Sequence, residues 1–420
     1  MTSRNYLLAR LHPAHQVQLL QGGQEYFPAL VAQFDASQHE IRFETYIFHL
    51  DASGTLVASA LERAALRGVK VFLTMDGFGT PRLPPEWAER FDRSGVAWRI
   101  FSPLGRLGML LPSRWRRLHR KMCVVDGSVA YCSGINVLDD FFDPNHGALT
   151  VPRLDFAVRV TGPLVQDMQD TMTLFWQRHT LGAELRQREF PAAWRSLQGS
   201  MRQAFAHRMP DSPGAGGDTS IPMQGVAEHG ARAGLLLRDN LRNRSVIERA
   251  YLKAIGDARQ EVLIANAYFL PGARLRRALV HAARRGVRVR LLLQGRYEYF
   301  LQYHASRPLY GALLDAGVEI HEYAASFLHA KVAVIDSHWA TVGSSNLDPL
   351  SLLMAREANV VVDDPLFATA LRTRLESAIA EGGRQLDAGA YLKRPWHLRA
   401  REALASAAMR TGLFLIGRRY

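Results

Sequence analysis

Two nine-residue stretches, LHRKMCVVD at 118–126 and LHAKVAVID at 328–336, share the pattern Leu-His-x-Lys-x-x-x-x-Asp. In an extended strand residues two apart share a face, which sets His119 beside Lys121, and His329 beside Lys331, about 6 to 7 Å apart along the backbone. Only 5 of the 52 basic residues are Lys, so Lys at both equivalent positions marks a need for a compact ammonium rather than a planar guanidinium. One copy of so open a pattern is suggestive. Two copies are hard to assign to chance.

A second element follows each pattern at matching distance: SGIN at 133–136 and GSSN at 343–346, with Asn136 and Asn346 each 17 residues past their His. Small residues there let backbone and amide come close to a ligand. Two His, two Lys and two Asn brought together would surround one phosphate. Ammonium and amide groups would neutralise its nonbridging oxygens while one imidazole attacks phosphorus and the other protonates the leaving oxygen. Such a phosphodiester site calls for no metal and no cofactor, and no Cys/His cluster has the spacing of a zinc site.

Asp126 and Asp336 complete the two patterns and are counted with the catalytic candidates. Their seven-residue offset from the His nevertheless turns them to the other strand face. Asp126 also precedes Gly127 at a turn, so turn and strand-end hydrogen bonding is the stronger reading of both. Each imidazole needs a group to fix its tautomer. Asp155 (in RLDFAVRV) and Glu357 (in REANVVVD), which open the next strand-like segments, are the candidates. Glu44, whose counterpart in the second half is Asn266, fits either a strand-end carboxylate or a contact to an acceptor hydroxyl. Cys123 and Cys132 read as small buried apolar residues in a reducing compartment.

The elements that must carry these residues also occur twice. ASQHEIRFETYIF near 36 and ARQEVLIANAYFL at 258 each leave a helix-like stretch and enter a strand. LVASALERAALRGVKVFLTMDG and LRRALVHAARRGVRVRLLLQG follow, helices that Gly68 and Gly286 should close before a β-branched strand. Then come SGVAWRIF and AGVEIHEY, and then the His/Lys patterns. This alternation predicts an α/β fold of two similar domains facing each other, each a mixed β-sheet flanked by helices. Pseudo-twofold packing would put the active site at their interface. The expected organisation is a first domain over 1–200, a flexible Gly/Pro/Ser-rich linker over 201–234, a second domain over 235–385 and a basic amphipathic tail over 386–420.

HRKMCVVD…SGIN and HAKVAVID…GSSNLDPLSL resemble the duplicated His-Lys-Asp motifs of the phospholipase D superfamily, over nearly the whole chain outside linker and tail. The second half (NAYFLPG, HWATVGSSNLDPLSL, EANVVV) is similar more narrowly to bacterial cardiolipin synthases of the B type. The resemblance implies a ping-pong phosphatidyl transfer. One His attacks a phosphatidylglycerol phosphorus and expels glycerol, and the glycerol hydroxyl of a second phosphatidylglycerol releases the phosphohistidine as cardiolipin. It also implies that Asp155 and Glu357 hold the histidines, and it assigns His119 as nucleophile and His329 as acid, then base. One departure is that Ser133-Gly134 stands where the second half has Gly343-Ser344. The hydroxyl is thereby shifted by one position, and Ser133 is not counted as catalytic.

The formal charge of +13 calls for an anionic partner, nucleic acid or lipid. PLGRLGMLLPSRWRRLHRK at 103–121 mixes six Arg/Lys with Leu and Met and a single Trp, which fits entry into a lipid surface better than base stacking. The tail WHLRAREALASAAMRTGLFLIGRRY either lies on an anionic membrane or packs on the body of the protein. With no signal-like segment and no apolar run long enough to span a bilayer, the expected location is peripheral, on the cytoplasmic face of the cell membrane. The partner would be an anionic phosphatidylglycerol membrane, with no nucleic acid. A hydrolytic phospholipase D or nuclease using the same site is the alternative. A catalytically silent lipid binder is disfavoured by the complete pairs in both halves.

Overall fold

The strands that carry the two His/Lys patterns are apolar on both faces, Met122, Val124, Cys123 and Val125 in one and Val332, Val334, Ala333 and Ile335 in the other, all buried. A strand of this kind must lie inside a sheet covered on both sides. The computed structural model describes residues 11–103, 115–186, 230–239, 243–296, 300–348 and 355–415.

In the first half the strands are β1 (His12–Gln21), β2 (Glu40–Thr45), β3 (Lys70–Asp76), β4 (Ala97–Phe101), β5 (Arg117–Leu118), β6 (Lys121–Val125), β7 (Val129–Ser133), a small hairpin of β8 (Phe142–Asp143) and β9 (Gly147–Ala148), and β10 (Phe156–Thr161). The second half supplies β11 (Ala231–Arg238), β12 (Glu261–Asn266), β13 (Arg288–Gln294), β14 (Glu319–Tyr323), β15 (Lys331–Ile335), β16 (Trp339–Gly343), β17 (Ala355–Asp363) and β18 (Gly383–Gln385). Strand order runs β4-β3-β2-β6-β7-β10-β1, crosses to β11, and continues β17-β16-β15-β12-β13-β14-β18. Outward from the β1–β11 seam the order matches in both directions, with β6 and β15 in equivalent places and β18 added at the outer edge of the second half. That is the expected pseudo-twofold. β2, β3 and β4 pair in parallel, as do β12, β13 and β14, whereas the motif strands are antiparallel to their neighbours, so each half is a mixed sheet.

Alternation along the motif strands sorts side chains into layers. Met122 and Val124 of β6 and Val332 and Val334 of β15 enter one central core shared by the two halves, closed by residues of helices Leu164–Arg186 and Pro365–Gly382. Cys123 and Val125 face an outer core beneath the helices of the first half, and Ala333 and Ile335 the outer core of the second. Both cysteines are buried and unbridged, Cys132 on the central side. Helices Ala52–Leu66 and Ala273–Arg284 are closed as expected by Gly68 and Gly286, at φ +93° and +89°, a conformation in which a Cβ would be strained.

One feature differs from the sequence expectation. β11 begins at Ala231, inside the segment 201–234 read as linker, and its pairing with β17 and β1 builds the seam itself. Its opening Ala-Arg-Ala-Gly has the composition of a loop, and only pairing on both sides makes it a strand; residues 201–229 lie outside the described residues. The tail forms helices Ala388–Leu392 and Trp396–Leu415, the second packing on helix Phe300–Asp315 with Ala405 buried while Trp396 and Leu404 stay exposed. Among the described residues no helix is long and apolar enough to cross a membrane.

Candidate active site

As the chain enters each motif strand it is held by a polar side chain at the end of a strand two places away in the sheet. Asp76, closing β3, accepts from Leu118 N at 2.7 Å, and Gln294, closing β13, accepts through Oε1 from Leu328 N at 3.1 Å. His119 and His329, one residue further on, donate their backbone N–H across the interface to the carbonyls of Arg356 and Leu154 at 3.0 and 2.9 Å. Each histidine is therefore sewn to the opposite half before its side chain does anything.

The side chains cross in the same way. His119 Nδ1 lies 3.0 and 3.1 Å from the two carboxylate oxygens of Glu357, and His329 Nδ1 lies 2.6 Å from Asp155 Oδ2. The sequence singled out both carboxylates, and the structure adds that each serves the histidine of the other half. With Nδ1 so engaged, Nε2 is the ring nitrogen left for chemistry. The imidazoles keep 16% and 21% side-chain exposure, while Glu357 and Asp155 are sealed beneath them. Lys121 Nζ donates to His119 O at 2.7 Å, and Lys331 Nζ donates to His329 O. The two ammonium groups thus sit at the backs of the two histidines, fully buried.

Burial dominates the electrostatics. It pulls the Lys121 ammonium down to about 7, with the Lys331 charge adding to the effect and Glu357 opposing it. Burial also holds His119 below its ordinary range despite Glu357, and holds His329 well below it, reinforced by Lys331, Lys121, His119 and Arg153. The two carboxylates diverge. Asp155 is pushed up to about 7 by burial, only partly offset by Lys331 and by a backbone hydrogen bond from Phe156 N. Glu357 suffers the same burial, yet His119, Lys121 and the Ser344 hydroxyl, which donates to Oε2 at 2.5 Å, hold it below its ordinary value.

That hydroxyl has no twin. Gly134 takes the equivalent place in the first half, and a Cβ there would lie 2.3 Å from Asp155 Oδ1. Ser133 turns away and donates to Ile135 O at 3.2 Å, consistent with its exclusion above.

Asn136 accepts from Ile47 N through Oδ1 at 3.3 Å, and Asn346 is buried just past Ser344. Asp126 and Asp336 are not brought to the histidines. Each occupies the far end of its motif strand at φ +50° or +51°, where Asp126 accepts from the backbone N–H groups of Gln38, His39 and Glu40, and Asp336 from those of Arg259, Gln260 and Glu261. The parity of the strand dictates this placement, and their geometry is that of the turn reading. Glu44 is committed as well: its carboxylate pairs with Arg120 at 2.5 and 2.9 Å in a buried fork.

Sequence reasoning passed over Tyr46, whose ring meets His119 edge-on at 4.8 Å and lies 5.3 Å from Lys121 Nζ. The signal was present, since ETYIF and NAYFL both carry Tyr two residues after the Glu44/Asn266 position. Ser344 was visible only as a small residue, because its role needs Glu357 from 13 residues further on.

The chain is similar to known proteins along most of its length. Residues 30–154 and 251–379 each match a family model described as cardiolipin synthase, PLD-like domain. The chain is 36% identical to cardiolipin synthase B of Escherichia coli (strain K12) over 96% of its length and 90% of that protein's. It is 28% identical to a cardiolipin synthase of Geobacillus thermodenitrificans (strain NG80-2), over 94% of this chain and 72% of the other. Among solved structures, phosphatidylserine synthase of Haemophilus influenzae Rd KW20 superposes with a TM-score of 0.65 over 97% of both chains at 13% identity, a likeness of fold.

Proposed function

Because the chain belongs to the cardiolipin synthase family of phospholipase D-like proteins, we propose that it joins two phosphatidylglycerol molecules into cardiolipin and glycerol through a phosphohistidine on His119. The observation that carries the assignment is the Glu357 carboxylate, held ionised behind His119 Nδ1. An ionised acceptor at Nδ1 fixes the proton there and enriches Nε2, the lone pair that must attack phosphorus.

In the first step His119 Nε2 forms a bond to phosphorus as the bond from phosphorus to the glycerol oxygen breaks, and His329 Nε2 gives that oxygen its proton. In the second, the terminal hydroxyl of another phosphatidylglycerol gives its proton to His329 and attacks phosphorus from the vacated side. The P–N bond then breaks, and His119 is regenerated with cardiolipin as product. Lys121, Lys331, Asn136 and Asn346 neutralise the nonbridging oxygens as charge builds on them. Asp155 and Glu357 orient the rings, while Asp126 and Asp336 shape the strands that present them.

The enzyme works at an anionic phospholipid surface, peripherally and from the cytoplasmic side. What supports this is the basic balance of the chain together with the exposed Trp396 and Leu404 on the Arg-bearing terminal helix. The aliphatic part of the 103–121 segment, residues 104–114, lies outside the described residues.

The test is lipid analysis after incubating purified protein and chelator with phosphatidylglycerol vesicles. Cardiolipin with equimolar glycerol is expected from the wild type and neither from His119→Ala. Phosphatidic acid as sole product would replace the transferase with a hydrolase, and lipid inertness together with cleavage of single-stranded DNA would replace it with a nuclease.

A further inference from the structure

The pseudo-twofold fails at one place beside the histidines. Since His119 N donates to Arg356 O and His329 N to Leu154 O, Arg356 and Leu154 are equivalent residues, as are Arg120 and Ala330 between each His and Lys. Leu154 and Ala330 are buried in the central core. Arg120 and Arg356 instead face a cavity of about 500 Å³ between helix Leu164–Arg186 and the end of β11, whose wall also holds Arg116, Arg178 and Arg238, with Asp239 as counter-charge.

The arginines are differently committed. Arg120 is neutralised by Glu44. Arg356 makes no ion pair or side-chain hydrogen bond among the described residues, and its Nε is buried without an acceptor. The ring of Phe175 lies 5.0 Å from the Arg120 guanidinium and 5.1 Å from that of Arg356, so both planes are fixed against one aromatic wall. Burial first, and then the charge of Arg120, push Arg356 below the ordinary arginine range, as befits a cation crowded by another. A buried N–H with no acceptor is costly, and a guanidinium fork meets phosphate oxygens two at a time.

We propose that this cavity binds a phosphate group of a second molecule, separate from the phosphodiester held between the histidines. Its volume lies within the range of about 300–1,000 Å³ typical of small-ligand sites, enough for a phosphate with a glycerol attached. Occupancy is transmitted to the catalytic pair through one atom. The Arg356 carbonyl accepts from both His119 N and Arg120 N, at 3.0 and 2.8 Å, and the next residue is Glu357. An anion that draws Arg356 and Arg120 together stiffens the strand end on which Glu357 holds His119. A lipid source for the phosphate rests on the phosphatidyl transfer proposed above; the anion site itself does not.

The experiment is calorimetric titration of the full chain, without vesicles, with inorganic phosphate and separately with soluble glycerophosphoglycerol. Two sites per chain are expected. One should weaken at least tenfold in Arg356→Gln and several-fold in Arg178→Gln, an exposed position where folding is not at stake. The other should be unmoved by those two substitutions and weaken in His329→Ala. Saturation by the diester marks a lipid headgroup as the ligand, and saturation by inorganic phosphate alone marks free phosphate. A single site, indifferent to both arginine substitutions in proteins that melt like the wild type, would overturn the proposal. Because no turnover is measured, this failure is distinguishable from failure of cardiolipin synthesis.

Discussion

The two histidine–carboxylate pairs share a plan and differ in state. His119 rests on a Glu357 whose charge is secured by the Ser344 hydroxyl, whereas His329 rests on an Asp155 pressed against Gly134 and titrating near neutrality, at about 7. Symmetry brings two imidazoles to one phosphorus, and the broken symmetry behind them divides the labour. The pair with the firmly ionised carboxylate suits attack. The pair with a carboxyl near its own midpoint suits passing a proton in each direction.

The largest expected effects break the pairs outright. His119→Ala should abolish cardiolipin formation, and His329→Ala should lower kcat by about 10² to 10⁴. The comparison is sharpened by a phosphatidyl ester of p-nitrophenol, whose leaving group needs no proton. Nitrophenolate release should recover in His329→Ala and stay absent in His119→Ala, followed by absorbance in a stopped-flow instrument.

Next come the carboxylates. Glu357→Gln should cut kcat by up to about 10⁴, the scale seen when an amide replaces the acid behind a catalytic histidine. Asp155→Asn should cost less, because Asp155 is not fully charged at neutral pH to begin with. Equal losses in the two variants would mean that the difference in their surroundings has no catalytic consequence.

Smaller effects come from exchanging the residues beside the carboxylates. Ser344→Ala removes a hydrogen bond to a buried charge and should destabilise the protein by about 1.5 to 3 kcal/mol. Gly134→Ala places a methyl against Asp155 and should cost about 1 to 3 kcal/mol through overpacking. Urea denaturation reads both, and lipid assays should show the first variant impaired at the His119 step and the second at the His329 step.

The smallest is a pH effect of opposite sign at the two acids. The folded-state value of Asp155 lies above its ordinary 3.8, so its contribution to stability is complete below that pH and is lost as pH rises through about 7. Glu357 lies below its ordinary 4.5, so its contribution is present above that pH and is lost as pH falls through the depressed value. Between pH 5 and 8 the stability gap between wild type and Asp155→Asn should therefore narrow, while the gap to Glu357→Gln holds steady. Denaturation at the two pH values decides it.

Much of this was legible in the sequence because it is local. Strand parity placed His119 with Lys121, separated Asp126 from both, and the Arg-Gly-Val steps closed two helices at Gly68 and Gly286. What escaped is what crosses the interface. Parity gives the face of Asp155 and Glu357 but not the half whose histidine they meet, since that depends on how two sheets dock. Nor does Ala-Arg-Ala-Gly at the start of β11 look like a strand until β1 and β17 pair with it on both sides. Glu44 and Arg120 are 76 residues apart and read as unrelated until an antiparallel pairing sets β6 beside β2. The arginine cavity needed both halves as well, because its two central residues, Arg120 and Arg356, come from opposite sides of the molecule.

The most direct test of the central claim locates the covalent intermediate. Phosphatidylglycerol labelled with ³²P in its phosphodiester is mixed with enzyme, quenched in denaturant at alkaline pH during turnover, and the labelled peptide is mapped. The account predicts acid-labile label on His119 in the wild type and none in His119→Ala. Label on His329, or covalent label that persists in His119→Ala, would contradict it.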